Sequence, residues 1–174
     1  QIGSLTIRHL FRPRIVFDVL HLAKVGAEKK ALQIRVARSE DLTQVIDLDE
    51  QNTGLRKPAY WKELFKRFGE RTIERFFLVA EDGTECLGFI IGETRAWEFG
   101  SPPCGWIFAI GVHPDSRTRG VGSSLFVEIC LRFREEGIRK VRTMLARSDH
   151  LKMSFFRSQG MRGGPFIQLE KVLD

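Results

Sequence analysis

Between Val112 and Leu125 the chain reads V-H-P-D-S-R-T-R-G-V-G-S-S-L, an apolar strand that passes through Pro114 into a glycine-punctuated turn and then directly into a helix. Gly120 and Gly122 carry no β-carbon, so their amides approach a ligand oxygen closely and the chain takes dihedrals that other residues avoid. The helix that follows, expected over 121–135, turns its unpaired N–H groups and the positive end of its dipole toward the same spot. Arg117 and Arg119 add two permanent cations with forked donors suited to phosphate oxygens. The chemistry these residues fit is the binding of a diphosphate.

Two familiar phosphate signatures are missing. There is no G-x-x-x-x-G-K-S/T and no G-x-G-x-x-G followed by an acid some twenty positions later, so NTPase, kinase and dinucleotide-binding readings lose their main support. The stretch instead resembles the coenzyme A loop of the GNAT acyltransferases, whose signature is an apolar strand ending in V-x-P and then R/Q-x-x-G-x-G/A. Val112, Pro114, Arg117, Gly120 and Gly122 occupy each fixed position. The resemblance runs from about Ile34 to the C-terminus. It implies the GNAT fold, an α/β fold with a mixed sheet that splays at its middle to admit a pantetheine arm, and acetyl-CoA as cosubstrate with no metal.

On that resemblance the cofactor contacts fall on Ile110, Gly111 and Val112, the bulged strand edge that bonds the pantetheine amides and the thioester carbonyl, and on Arg117, Thr118, Arg119, Gly120, Val121, Gly122 and Ser123 around the diphosphate. Backbone amides aimed at the carbonyl stabilise the oxyanion formed on attack, worth several kcal/mol in general. The implied reaction is direct attack by an amine. An aliphatic ammonium with a pKa of about 10.4 must first lose a proton, so a carboxylate or a water chain is needed near the splay. Glu98 and then Glu93 are the favoured bases, being placed on or beside the strand facing the bulge, with Asp49 and Glu50 on the acceptor wall as further candidates. The family's last helix often reads N-x-x-A-x-x-F-Y-x-x-x-G-F, its Tyr protonating the departing thiolate. Here the match is D-H-L-K-M-S-F-F-R-S-Q-G-M, with Asp149 at the first position and Phe156 in place of the Tyr. Phe156 packs against a thioester but donates no proton. His150 and Ser154 are alternatives for that role, each also an ordinary helix-start residue, and His113 alternates to the opposite strand face from Val112.

The elements that must position these groups read out in order. Residues 34–37 form a strand, and Ser39 caps a helix with Leu42, Val45, Ile46 and Leu48 on one face. A second helix spans 58–68. Strands follow at 75–80 and from 86 toward 97, joined at Asp82-Gly83. Further strands are expected at 105–112, 141–146 and 166–172, with helices over 121–135 and 150–159. The order is β-α-α-β-β-β-α-β-α-β.

With 174 residues, 43% of them hydrophobic, the chain suits one domain, taken as residues 32–174. No apolar run reaches the 18 or so residues of a membrane span, and no secretion signal opens the chain, so a cytoplasmic protein is expected. Cys86, Cys104 and Cys130 have neither metal-ligand nor C-x-x-C spacing and read as reduced thiols. The net charge is +6. Residues 1–31, a basic extension with a helical stretch over 13–24, carry +4 of it, and the remainder is close to neutral. The chain begins at Gln1 without Met, as a processed product would. The extension is expected to pack on its own domain or to join two copies in a homodimer. Contact with a membrane surface or nucleic acid is the minority reading, and no nucleic-acid motif accompanies it. Two functions fit the whole: an N-acetyltransferase acting on a primary amine of a small molecule, peptide or protein, or a CoA-binding regulatory module in which the missing Tyr signals lost transfer.

Overall fold

The apolar run Phe76–Phe77–Leu78–Val79–Ala80 has no polar alternate, so a strand made of it must be covered on both faces. A computed structural model, which describes residues 32–69 and 74–173, places it at the heart of an open five-stranded sheet. The elements are β1 (Gln33–Val36), α1 (Leu42–Thr53), α2 (Pro58–Phe68), β2 (Arg75–Asp82), β3 (Glu85–Arg95), β4 (Cys104–Val112), α3 (Val121–Glu135), β5 (Val141–Arg142) and α4 (His150–Ser158). Strand order follows chain order. β1 to β4 are antiparallel neighbours, whereas β4 and β5 run parallel.

Each face has its own core. Leu78, Ile90 and Ile107 pack with Leu125, Ile129 and Phe133 of α3 and with Phe156 of α4. On the other face Phe77, Val79, Phe89 and Ile91 meet Val45 and Leu48 of α1 and Trp61, Leu64 and Phe68 of α2. The β2–β3 hairpin turns at Gly83, as the Asp-Gly pair predicts. Pro58 opens α2, and Lys66 and Arg67 meet the negative end of its dipole.

A kink in β4 creates the room for a site. Ile91 pairs with Ala109 but Gly92 pairs with Ile107, so Phe108 is an extra residue on β4. The bulge is therefore earlier than the 110–112 edge expected from sequence, and Ile110, Gly111 and Val112 stay paired with β3 on one side. On the other side β4 meets β5 only at Gly105↔Val141 and Trp106↔Arg142. Beyond those pairs residues 107–110 and 143–146 separate and face each other across open space. That separation shortens the expected 141–146 strand to two residues.

The expected last strand does not form. Residues 166–172 pair with no strand among the described residues, and their apolar side chains are exposed. The observed order is thus β-α-α-β-β-β-α-β-α. The basic extension over 1–31 and its helical stretch lie outside the described residues.

Candidate functional site

Two openings flank β4 where it leaves β5. The first, here the channel, encloses about 260 Å3 and runs from Arg117, Gly120, Gly122 and Ser123 past Val112 and Gly111 to Ile110. The second, the cavity, encloses about 440 Å3 between residues 107–110 and 143–146, under Lys57, Tyr60 and Trp61. They share Asp49, Thr53, Phe89, Ile110 and Lys152, so the two lie side by side between the glycine loop and Tyr60.

The loop is organised as its sequence demands. Pro114–Arg119 is a 3-10 turn, and Gly120 follows at φ +77°, a left-handed conformation that glycine takes without strain. A β-carbon at Gly120 meets no atom within 4 Å, whereas one at Gly122 comes within 3.2 Å of the Phe155 ring. Open space at the first glycine and a close aromatic wall at the second form a cradle with its first-turn amides of α3 directed outward. These features fit a diphosphate ester. Asn52 of α1 ties the loop to the sheet: its Oδ1 accepts from Arg117 Nη2 at 2.6 Å while its Nδ2 donates to Val112 O at 3.3 Å. Arg119 turns the other way, Nη2 donating to Asp82 Oδ2 at 2.7 Å. Thr118, Arg119 and Val121 line neither opening.

Asp49 stands at the junction. It is 7% exposed, its Oδ2 accepts from Trp61 Nε1 at 2.8 Å, and Lys57 Nζ lies 2.9 Å from the same oxygen. Both contacts converge on Oδ2, and no described side chain bonds Oδ1. Asp149 lines the cavity from the start of α4, where its carboxylate caps Lys152 N at 3.0 Å and pairs with the Lys152 ammonium. That ammonium, with the backbone bond, holds the Asp149 carboxyl below the usual range. Phe156 is 3% exposed, packs edge-on against Phe155 and Phe126, and lines the cavity.

The other sequence candidates lie elsewhere. Glu98 is exposed on a 3-10 turn that begins at Trp97 in a left-handed conformation, and it lines neither opening. Glu93 is ion-paired to Arg95 at 2.9 Å and also lines neither. Glu50 pairs with Arg56 on the outer face of α1. His113, His150 and Ser154 contribute to neither lining. Burial pushes the Cys86 thiol up to about 11 and raises Cys130 as well, which suits packing rather than nucleophilic chemistry. Among the described residues no group of three metal-ligating side chains converges.

Asn52, Lys57 and Tyr60 escaped the sequence reading. Only Tyr60 carried a signal, as the single tyrosine of the chain.

Residues 42–161 match the model of the acetyltransferase (GNAT) family, and the chain belongs to that family. Its fold is similar to that of the aminoglycoside N-acetyltransferase AAC(6')-Iy in complex with CoA, with a TM-score of 0.72 and 16% identity over 82% of this chain and 95% of that one. It is also similar to AAC(6')-IG from Acinetobacter haemolyticus, with a TM-score of 0.68 and 17% identity over 82% and 99%. A transcriptional regulator from Bacillus halodurans C-125 has a TM-score of 0.66 and 21% identity over 82% and 100%. At such identities the likeness is one of fold, and it extends to proteins of differing description.

Proposed function

We propose that the protein is an acetyl-CoA-dependent N-acetyltransferase acting on a primary amine of a small molecule, peptide or protein. The observation that carries this reading is the pair of adjacent openings, one at the glycine loop and one beside Tyr60, with the buried Asp49 carboxylate lining both. Acetyl-CoA supplies the activated acyl group. Arg117 and the amides around Gly120 and Gly122 hold the diphosphate, with Asn52 fixing the Arg117 guanidinium. The β4 backbone over 110–112 orients the arm, and the apolar walls of Phe89, Ile110 and Phe155 exclude water from it.

Asp49 replaces Glu98 and Glu93 as the proposed base. Its Oδ1 accepts a proton from the acceptor ammonium while Trp61 and Lys57 hold Oδ2 in place. Phe156 supplies an apolar floor, and the departing thiol, with a pKa near 8.5, leaves tolerably as its anion without a phenol at that position.

Steady-state release of CoA thiol with a panel of amines tests the assignment. We expect acceptor-dependent release that disappears when Arg117 is replaced by Ala at limiting acetyl-CoA. Tight CoA binding with no release for any amine supports instead the regulatory module that the Phe156 departure favours.

A further inference from the structure

Of the residues that line both the channel and the cavity, two are charged, the acid Asp49 and the base Lys152. On the function proposed above, on which this inference rests, the arm of acetyl-CoA occupies the channel and the acceptor the cavity, so the thioester lies among these shared residues. Two charges change there as the acyl group moves. The acceptor nitrogen gives up positive charge, which Asp49 receives as a proton, and the sulfur takes up negative charge, which the apolar Phe156 does not answer.

Lys152 stands at the alanine of the N-x-x-A-x-x-F-Y pattern, so the departures at Lys152 and Phe156 fall one turn apart on the same face of α4, and both residues line the cavity. One departure removes a phenol; the other adds a cation. Of the three ammonium donors of Lys152 one goes to the Asp149 carboxylate, and Nζ bonds no other group among the described residues. The side chain is 48% exposed, so its charge stands at the openings without the cost of full burial. The other cations of the two linings are engaged elsewhere, Lys57 on Asp49 Oδ2 and Arg117 on Asn52 Oδ1. The acids of the linings are Asp49 and Asp149 alone.

We infer that the Lys152 ammonium pairs with the CoA thiolate as it departs, a fixed cation in place of a proton donor. The C–N bond forms, the C–S bond breaks, and the electron pair of the broken bond stays on sulfur. Of the two protons that the acceptor nitrogen gives up, the first goes to Asp49 before attack and the second to water as the intermediate collapses. Lys152 keeps its protons throughout. In the thioester the sulfur is neutral, so the attraction grows only as the bond breaks, and it stabilises the transition state more than the bound substrate. Asp149 is the positioning residue. Its carboxylate accepts from both the backbone amide and the ammonium of Lys152, which fixes the direction of the side chain.

The thiol of bound CoA reports this ion pair without any acceptor. Ultraviolet thiolate absorbance is titrated with pH for the CoA complex of the full chain, and the complex with desulfo-CoA is subtracted so that Cys86, Cys104 and Cys130 drop out. A neighbouring cation favours the charged form, so the bound thiol should titrate about one unit or more below that of free CoA. Lys152→Met should return it to the free value and Lys152→Arg should retain the shift, with calorimetric CoA binding and circular dichroism checking each variant and Lys152→Gln replacing a misfolded Met variant. Single-turnover transfer to an amine that reacts should slow about tenfold or more in Lys152→Met and recover in Lys152→Arg. A bound thiol that titrates with free CoA, a shift that survives Lys152→Met, or an unaltered single-turnover rate overturns the inference. A wild-type chain that binds no CoA overturns it together with the proposed function. A shifted thiol with no amine that reacts removes the proposed reaction and keeps the ion pair.

Discussion

The channel and the cavity share a wall at Asp49, Thr53, Phe89, Ile110 and Lys152, yet they are made from different material. Much of the channel comes from one contiguous stretch, residues 110–123, which brings glycine conformation, a backbone edge and a helix start, with Asn52, Phe89 and Phe155 closing it from other elements. The cavity is assembled from side chains of α1, α2, β3, β4 and α4 and from the chain after β5, which meet only after folding. A backbone site is set by a local pattern; a side-chain site is set by topology.

The two buried acids of the described residues sharpen this contrast, because only one belongs to the site. Replacing Asp49 by Asn removes the proposed base at constant shape, and we expect kcat/KM to fall by about 10²- to 10⁴-fold with acetyl-CoA affinity little changed. Equal losses in binding and turnover would mean that Asp49 shapes the channel rather than moving a proton.

Asp41 is the structural counterpart. It takes a two-pronged ion pair from Arg35, at 2.6 and 2.8 Å, and accepts from Arg38 N at 2.6 Å, while Arg35 also pairs with Glu81. Burial alone would raise its carboxyl, but the bonds and charges of Arg35 and Arg38 outweigh burial and hold it below the usual range. The stability it contributes is therefore complete above the ordinary carboxylate pKa near 3.9 and drains away as pH falls through the lower folded-state value. Asp41→Asn leaves Arg35 with Glu81 as its one carboxylate partner and should lower unfolding stability by about 1–3 kcal/mol near neutral pH, with a flatter acid limb in denaturant titrations. Unchanged stability would show that Glu81 alone satisfies the guanidinium.

Gly120→Val probes the channel. The β-carbon meets open space, so the fold should survive apart from about 1–2 kcal/mol of left-handed strain. The side chain occupies the cradle, and we expect calorimetric CoA affinity to drop about tenfold or more, equivalent to at least 1.4 kcal/mol. A folded variant with native affinity would remove the diphosphate from this loop.

Legibility in the sequence divides along the same line. Arg117, Gly120 and Gly122 fall together along the channel because their spacing along the chain is their arrangement in space. Among the four candidate acids the sequence favours Glu98 and Glu93, and nothing local tells that Glu98 lies exposed on a turn after Trp97 or that Arg95 pairs with Glu93. Asn52 reaches Arg117 across 65 residues, and Lys57 and Tyr60 line the cavity that opens where β4 and β5 stop pairing. The 166–172 segment has a strand's composition, and composition does not reveal whether a neighbouring edge receives it.

Phe156→Tyr carries the smallest expected effect and addresses both regions at once. Phe156 lines the cavity and packs on Phe155, itself a channel wall, so the variant adds a hydroxyl there at nearly constant volume. If departure of the thiolate contributes to the barrier, the phenol donates to the leaving sulfur, and kcat should rise by up to about tenfold, the low side of what a positioned acid supplies. Acetyl-CoA affinity should stay as it is. A variant that binds normally but loses stability by about 1–3 kcal/mol would mean that the hydroxyl faces the Phe126 and Phe155 rings unpaired. The position would then act purely as apolar packing, and transfer at this site would proceed without a proton donor on α4.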